Sequence, residues 1–248
     1  MTNLFADHSK IETWIDNDEL VSVTYQNSFF IIQKNDWFKR LFFLSTNPAH
    51  LESDLEILLP SLTDEKMVTD LIGMTGQTER MVSIFTSRGF QVRSTLIRMS
   101  ATKLTLNADS VLVNYADKKN LQVIQSYFEQ YFDKYVEQIP TKTELSEWLS
   151  NNNIFCYLED GVVAGFLIFE NVQKTAYLRY WFVHPDYRNK NIGSKLMLSF
   201  HLVNSQASRF IFWVINTNEN AIKRYLHYGF KKEELMDKVL TFNIQQDA

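Results

Sequence analysis

Val183-His184-Pro185-Asp186-Tyr187-Arg188-Asn189-Lys190-Asn191-Ile192-Gly193-Ser194-Lys195 is the stretch on which the reading of this chain turns. The aromatic, β-branched run Tyr177–Val183 leads into it, Pro185 and Asp186 turn the chain, and Ile192–Val203 follows with helical apolar spacing. The stretch is therefore a strand-to-helix loop. The first turn of a helix carries unpaired N–H groups and a partial positive charge. Donors aimed at one point make an anion site. Gly193 removes a side chain that would block a phosphate, and Arg188, Lys190 and Lys195 add positive charge. The expected ligand is a pyrophosphate or a similar group. On this segment alone, a basic surface loop with Gly193 there by chance is an equally good reading.

Working outward, Phe210–Ile215 is a strand, Asn218–His227 a helix and Val239–Ile244 a last strand. Gly229 ends the helix in a left-handed conformation and Phe230 packs back on it. Asn218, Ala221 and Tyr225 share one helical face. Before the loop, Ile154–Leu158 and Val162–Phe169 flank Asp160-Gly161, a strong hairpin signal. Val111–Tyr115 reads as a strand. Asp117 caps a helix with Leu121, Ile124, Phe128, Tyr131 and Tyr135 on one face. Thr141 or Thr143 starts a second helix that runs through Trp148. The order β-α-α-β-β-β-α-β-α-β is a mixed α/β pattern with a central sheet.

Two of these segments resemble the GNAT N-acetyltransferases. Their loop pattern is Arg/Gln-x-x-Gly-x-Gly/Ala after a strand. Arg188, Ile192 and Gly193 fit it, and Asn191 stands at the first glycine. Asparagine tolerates a left-handed backbone better than most residues. Asn218-Glu219-Asn220-Ala221-Ile222-Lys223-Arg224-Tyr225-Leu226-His227-Tyr228-Gly229-Phe230 is similar to a second pattern, Asn-x-x-Ala-x-x-x-Tyr-x-x-x-Gly-Phe. The resemblance covers Val111 to Ile244. It implies an α/β fold of the GNAT (acyl-CoA N-acyltransferase) type, with a mixed, mostly antiparallel sheet flanked by helices.

The resemblance also implies a chemistry. An acetyl group passes from acetyl-CoA to a primary amine by direct attack, leaving CoA. The cofactor lies between two splayed parallel strands, here Tyr177–Val183 and Phe210–Ile215. Backbone groups at Trp181, Phe182 and Val183 pair with the pantetheine arm, and one N–H there can stabilise an oxyanion. Arg188, Asn189, Lys190, Asn191, Ile192, Gly193 and Ser194 hold the pyrophosphate, and Asn218 contacts the cofactor or caps its helix. Tyr225 protonates the leaving thiolate as general acid. No metal is needed. The acceptor is a small-molecule or peptide amine. The general base is not readable: Glu159, Glu170 and His184 are conceivable, whereas His201 and His227 read as helix-surface residues. Tyr127, Phe128, Tyr131, Phe132 and Tyr135 are core packing or acceptor-pocket lining.

The first half reads as a worn copy. Its strands are Val21–Tyr25, Phe29–Gln33, Phe38–Ser45, Met67–Ile72 and Val92–Met99, with helices around Leu51–Leu59 and Gly76–Ser87. Thr78 to Phe90 aligns with Asn218 to Phe230, placing Phe85 at Tyr225, Thr78 at Asn218 and Met81 at Ala221. Ser45 to Leu55 has no glycine and carries Glu52 and Asp54, which repel pyrophosphate. The expected domains are 1–105, a degenerate GNAT-like unit that binds no acetyl-CoA, and 106–248, the catalytic unit. Chance recurrence of a Gly-Phe helix ending is the alternative.

Composition narrows the classes. With 45% hydrophobic and 22% charged residues over 248 positions, the chain is ordinary globular protein. A net charge of −4 argues against a broad nucleic-acid footprint. The single cysteine, Cys156, excludes an internal disulfide framework and a cysteine-rich zinc site. No apolar run approaches membrane-spanning length, and Asp7 and His8 stand where a signal peptide is apolar. The expectation is a cytoplasmic enzyme with no membrane or nucleic-acid partner. A non-catalytic CoA-binding or protein-interaction module, or use of another acyl-CoA, remains open.

Overall fold

The computed structural model describes residues 1–4, 8–106 and 113–245. In chain order its elements are α1 (His8–Asp16), β1 (Leu20–Thr24), β2 (Ser28–Lys34), β3 (Lys39–Ser45), α2 (Pro48–Leu58), β4 (Met67–Met74), α3 (Thr75–Thr86) and β5 (Gln91–Ala101). There follow α4 (Leu121–Tyr131), α5 (Lys142–Ser150), β6 (Ile154–Glu159), β7 (Val162–Val172), β8 (Thr175–Val183), α6 (Ile192–Val203), β9 (Arg209–Ile215), α7 (Glu219–His227) and β10 (Lys231–Phe242). The strands are mixed and mostly antiparallel, with flanking helices, as the GNAT resemblance implies.

The chain forms two compact units, Met1–Ile97 with Glu234–Ala248, and Arg98–Glu233. The expected boundary after residue 105 does not coincide with this division. The last strand starts at Lys231 rather than Val239, and from Leu235 to Phe242 it pairs antiparallel with β4. A ladder of that length makes the C-terminal segment part of the N-terminal unit. Of the strand expected at Val111–Tyr115, positions 111 and 112 lie outside the described residues. Tyr115 bridges Phe155 and stacks on it at 4.8 Å.

In the N-terminal unit, β1, β2 and β3 form an antiparallel meander, and β3 then pairs parallel with β4. Leu51, Leu55 and Leu58 of α2 and Ile84 and Phe85 of α3 pack with Phe30, Leu41, Phe43 and Leu240. Asn47 caps α2 through His50 N at 3.0 Å, with Pro48 in the first turn. The β3–β4 ladder holds only for Lys39↔Met67 and Arg40↔Val68. Beyond it the strands are bridged by Asn3, which is 2% exposed. Its amide nitrogen donates to Leu41 O at 3.1 Å on one side and to Thr69 Oγ1 at 2.9 Å and Asp70 O at 3.0 Å on the other. Its oxygen accepts from Phe43 N at 2.7 Å. Asn3→Ala is expected to lower the unfolding free energy by roughly 2–4 kcal/mol, because each buried polar group left unpaired costs about 1–3 kcal/mol. Urea denaturation of the two proteins measures it, and a loss within error would show that Asn3 does not hold the strands.

In the second unit, β6, β7 and β8 are antiparallel and β8 runs parallel to β9. Asp160 and Gly161 both have positive φ, 51° and 80°, as the tight β6–β7 turn requires. One side of the strands is covered by α4 and α5: Ile124, Phe128, Leu145 and Trp148 pack on Ile154, Phe166, Ile168 and Phe182. Capping boxes at Asp117 and at Thr141–Glu144 mark the two starts. α4 ends at Tyr131, and Phe132 is already extended (φ −114°, ψ 143°), so Tyr135 lies in the following turn and off the helix face expected for it. Phe200 of α6 meets Phe169 and Phe210 from a separate cluster.

Candidate functional site

The site begins where β8 and β9 part. Their ladder holds for Thr175↔Arg209, Ala176↔Phe210 and Tyr177↔Ile211 and then ends. On its other edge β8 stays paired with β7 as far as Gly165↔Val183, with a register shift at which Ile168 faces Tyr180 and Phe169 faces Leu178. Arg179 is therefore an extra residue in β8. Such a bulge bends and twists its strand, and it falls just past the last β8–β9 pair. The backbone of β8 from Leu178 to Val183 thus has one edge without a β9 partner.

The loop beyond β8 has the backbone its asparagines suggested. Asn189 and Asn191 have φ of 66° and 59°, in the left-handed region. Asn191 is the N-cap residue of α6, and no side chain caps that turn. The intrahelical ladder begins with Lys195 N donating to Asn191 O at 3.1 Å, so the N–H groups before it have no partner within the helix. Arg188, Asn189, Lys190 and Asn191 are exposed, while Ile192 is buried. Lys190 Nζ donates to Glu159 at 2.8 Å, and this bond holds the Glu159 carboxyl below its usual range. Lys195 Nζ donates to the Tyr157 hydroxyl at 3.0 Å. Ser194 and Tyr228 join their hydroxyls at 2.8 Å and so tie α6 to α7. α6 can sit this close to the strands because Gly165 has no side chain: a Cβ there would meet Phe182 O at 2.8 Å and Leu196 at 3.3 Å.

Gly193 has a role the sequence did not reveal. A Cβ on it would meet Cζ2 of Trp181 at 2.9 Å, so the missing side chain makes room for an indole as well as for a ligand. Trp181 lies against Tyr225 and Tyr228, with ring centroids 5.4 Å and 5.9 Å away. Its Nε1 is buried and has no hydrogen-bond partner among the described residues. A buried donor left unpaired costs stability, so such a group is a candidate to meet a ligand.

Tyr225 stands on α7, 9% exposed. Its ring centroid is 4.1 Å from that of Phe212 on β9. Burial, then the charge of Glu137, pushes its phenol above the usual range, so it keeps its proton through neutral pH. Asn218 caps α7, its Oδ1 accepting from Ala221 N at 3.2 Å. Gly229 (φ 91°) ends the helix, and Phe230 N donates back to Tyr225 O at 3.1 Å.

Splayed parallel strands, an uncapped helix start and a tyrosine beside them are the arrangement the resemblance implies. The model of the Acetyltransferase (GNAT) family matches residues 121–230. Residues 121–230 are a GNAT acetyltransferase domain.

The whole chain is similar in fold to solved GNAT structures. A GCN5-related N-acetyltransferase from Kribbella flavida superposes with a TM-score of 0.60 at 11% identity, over 98% of both chains. One from Sphaerobacter thermophilus gives 0.60 at 11% identity over 95% of this chain and 85% of the other. A structure described as a tandem GNAT protein from the clavulanic acid biosynthesis pathway gives 0.57 at 10% identity over 89% and 80%. No curated protein matches the sequence.

Within the GNAT domain, each proton acceptor suggested by the sequence is engaged. Glu159 is held by Lys190. Glu170 accepts from Trp148 Nε1 at 2.7 Å and pairs with Arg179 at 3.2 Å. His184 Nδ1 accepts from Asp186 N at 3.3 Å, which leaves its proton on Nε2, 3.0 Å from the Tyr131 hydroxyl. His184 thus shapes the turn after β8. His201 is half-buried against Phe210 rather than on the surface, with its pKa lowered by burial. Of the aromatic set on α4, Phe128 is core, while Tyr127 donates to Val163 O at 2.9 Å.

Glu137 went unremarked in the sequence because nothing local marks it. It sits half-buried in the turn after α4. Burial, with the Asp133 charge, outweighs the Asp133 N–H bond and raises its carboxyl to about 7. Among the described residues no group of three or more His, Cys, Asp and Glu is arranged to hold a metal. No helix among them is long and apolar enough to cross a membrane.

Proposed function

We propose that the chain is an acetyl-CoA-dependent N-acetyltransferase acting on a primary amine. The observation that carries this reading is the parting of β8 and β9 beside the uncapped start of α6. Two features fit acetyl-CoA. The first-turn N–H groups of α6 suit a pyrophosphate, and Trp181 Nε1 is a buried donor without a partner. Arg188, Asn189, Lys190, Asn191, Ile192, Gly193 and Ser194 hold the phosphates. The free backbone edge at Trp181, Phe182 and Val183 aligns the pantetheine arm, and Asn218 fixes the start of α7 beside it. When bound, acetyl-CoA supplies the thioester carbonyl that the amine attacks. Tyr225, protonated at working pH, donates its proton to the departing sulfur.

The N-terminal half is read as a worn copy of the same unit. Its parallel β3–β4 ladder also ends early, and Gly89 (φ 93°) with Phe90 N on Phe85 O at 3.2 Å repeats the ending of α7. Asn3 bridges the strands there, and Phe85 offers no hydroxyl, which supports the view that it binds no acetyl-CoA. The test is CoA release from acetyl-CoA in the presence of a panel of primary alkylamines and a free-amine peptide. Amine-dependent release is expected. Acetyl-CoA binding without release by any amine would favour a non-catalytic CoA-binding or protein-interaction module.

A further inference from the structure

The β3–β4 cleft of the N-terminal unit already holds an occupant. The ladder between the two strands stops after Arg40↔Val68, so the edge of β3 from Leu41 to Ser45 is not paired with β4. The segment Met1–Asn3 serves that edge instead. Thr2 forms an antiparallel bridge with Leu44, Ser45 N donates to Met1 O at 2.9 Å, and Asn3 N donates to Phe43 O at 3.3 Å. The Thr2 hydroxyl also donates to Phe43 O, at 2.8 Å. The Asn3 side chain then meets Phe43 N and Leu41 O on β3 and reaches across to Thr69 Oγ1 and Asp70 O on β4. Pairing of this kind along a strand edge is how sheets take up extended peptides.

Two properties set this segment apart from the other strands of the unit. Met1 and Thr2 are exposed, and only Asn3 of the three is buried. None of their side chains belongs to the apolar cluster between the sheet and α2 and α3. The segment is held by main-chain bonds and one polar anchor, and a segment with few buried apolar contacts opens locally at low cost. The anchor is also selective. Asn3 Nδ2 donates to three acceptors, while Oδ1 accepts one N–H. An aspartate has no N–H to give and would set a carboxylate against those three oxygens.

The cleft does not suit CoA in place of a peptide. Pantetheine carries two amides and can pair with a strand edge, but the pyrophosphate beyond it needs a helix start with free N–H groups. At the start of α2, Asn47 Oδ1 already takes His50 N, and Pro48 has no N–H.

We propose that the edge of β3 beyond Arg40 is a peptide-binding slot for an extended segment carrying an asparagine, and that Met1–Asn3 fills it in cis. The slot lies outside the proposed acetyl-transfer site and does not depend on the acetyltransferase reading.

The test uses protein labelled with ¹⁵N-phenylalanine, in which the Phe43 amide reports its bond to Asn3. Three proteins are compared: the wild type, a variant lacking residues 1–3, and full-length Asn3→Asp, which keeps the chain intact should the deletion fail to fold. The probe is the synthetic peptide Met-Thr-Asn-Leu, amidated at its C-terminus. In both variants the Phe43 resonance should leave its wild-type position, and the peptide should return it with one-to-one stoichiometry. Met-Thr-Asp-Leu should bind about 10-fold more weakly or worse, since it leaves buried groups unpaired. The wild type should ignore peptide below the effective concentration of its own tethered segment, on the order of millimolar. Acetyl-CoA should leave Phe43 unmoved in all three. A folded variant whose Phe43 resonance ignores the peptide, or answers the asparagine and aspartate peptides alike, would overturn the proposal. So would a Phe43 shift caused by acetyl-CoA. Failure of both variants to fold would overturn it too, because the segment would then be a fixed part of the fold. No readout involves turnover, so absence of acetyl transfer would leave the slot standing.

Discussion

Tyr225→Phe is expected to slow acetyl transfer by roughly 10²–10⁴-fold, the range that a positioned general acid contributes, while leaving acetyl-CoA affinity close to that of the wild type. The ring of residue 225 packs on Phe212, Trp181 and Phe230, and phenylalanine keeps those contacts. The helix ending built on Tyr225 O uses only backbone. What is lost is one ionisable hydroxyl. Because burial raises that phenol, the wild type should show no fall in rate from its ionisation between neutral and mildly alkaline pH. Steady-state kinetics beside a calorimetric titration with acetyl-CoA separates rate from affinity. An unchanged rate would remove Tyr225 from the mechanism.

Gly193→Glu should have the larger effect on binding. A carboxylate in the first turn of α6 competes with an anionic ligand for the same N–H groups. Unit charges about 4 Å apart near a protein surface interact by roughly 4 kcal/mol, or about 10³-fold in affinity. The fold should survive, since an acidic side chain suits a helix N-terminus. A second cause acts alongside charge: any side chain at 193 presses on Trp181, whose Cζ2 would lie 2.9 Å from the new Cβ. Gly193→Ala isolates that part, moving the indole without adding charge. Calorimetry should give a modest loss for alanine and no measurable binding for glutamate. Wild-type affinity in Gly193→Glu would mean that the pyrophosphate does not sit at α6.

Much of the second half was readable from the chain alone because its signals are local. A strand that runs into a turn and then an apolar helix, Asn191 where a left-handed residue is needed, Asp160-Gly161 between two alternating runs and Gly229 before Phe230 all speak through backbone preferences within a few residues. The structure gives each the expected dihedral angles. α1 was not legible: its apolar residues are few, and even Ile15 among them is exposed. The length of β10 was missed because Lys231-Lys232-Glu233-Glu234 is polar, and a strand at this position is specified by its ladder partners rather than by alternation.

The chain alone specifies the order of strands and helices from α4 onward, the loop at Arg188–Ser194 and the identity of Tyr225 as the hydroxyl at the α7 position, because each rests on short-range pattern. The assembled fold places the C-terminal residues, since Leu235–Phe242 pair with a strand far away in sequence. It also assigned Gly193 to Trp181, filled the β3–β4 divergence with Asn3, and set Glu137 apart from the other carboxylates. Those four facts depend on groups brought together across the fold. Burial, charge and hydrogen-bond vacancy are properties of that assembly, and no window of sequence contains them.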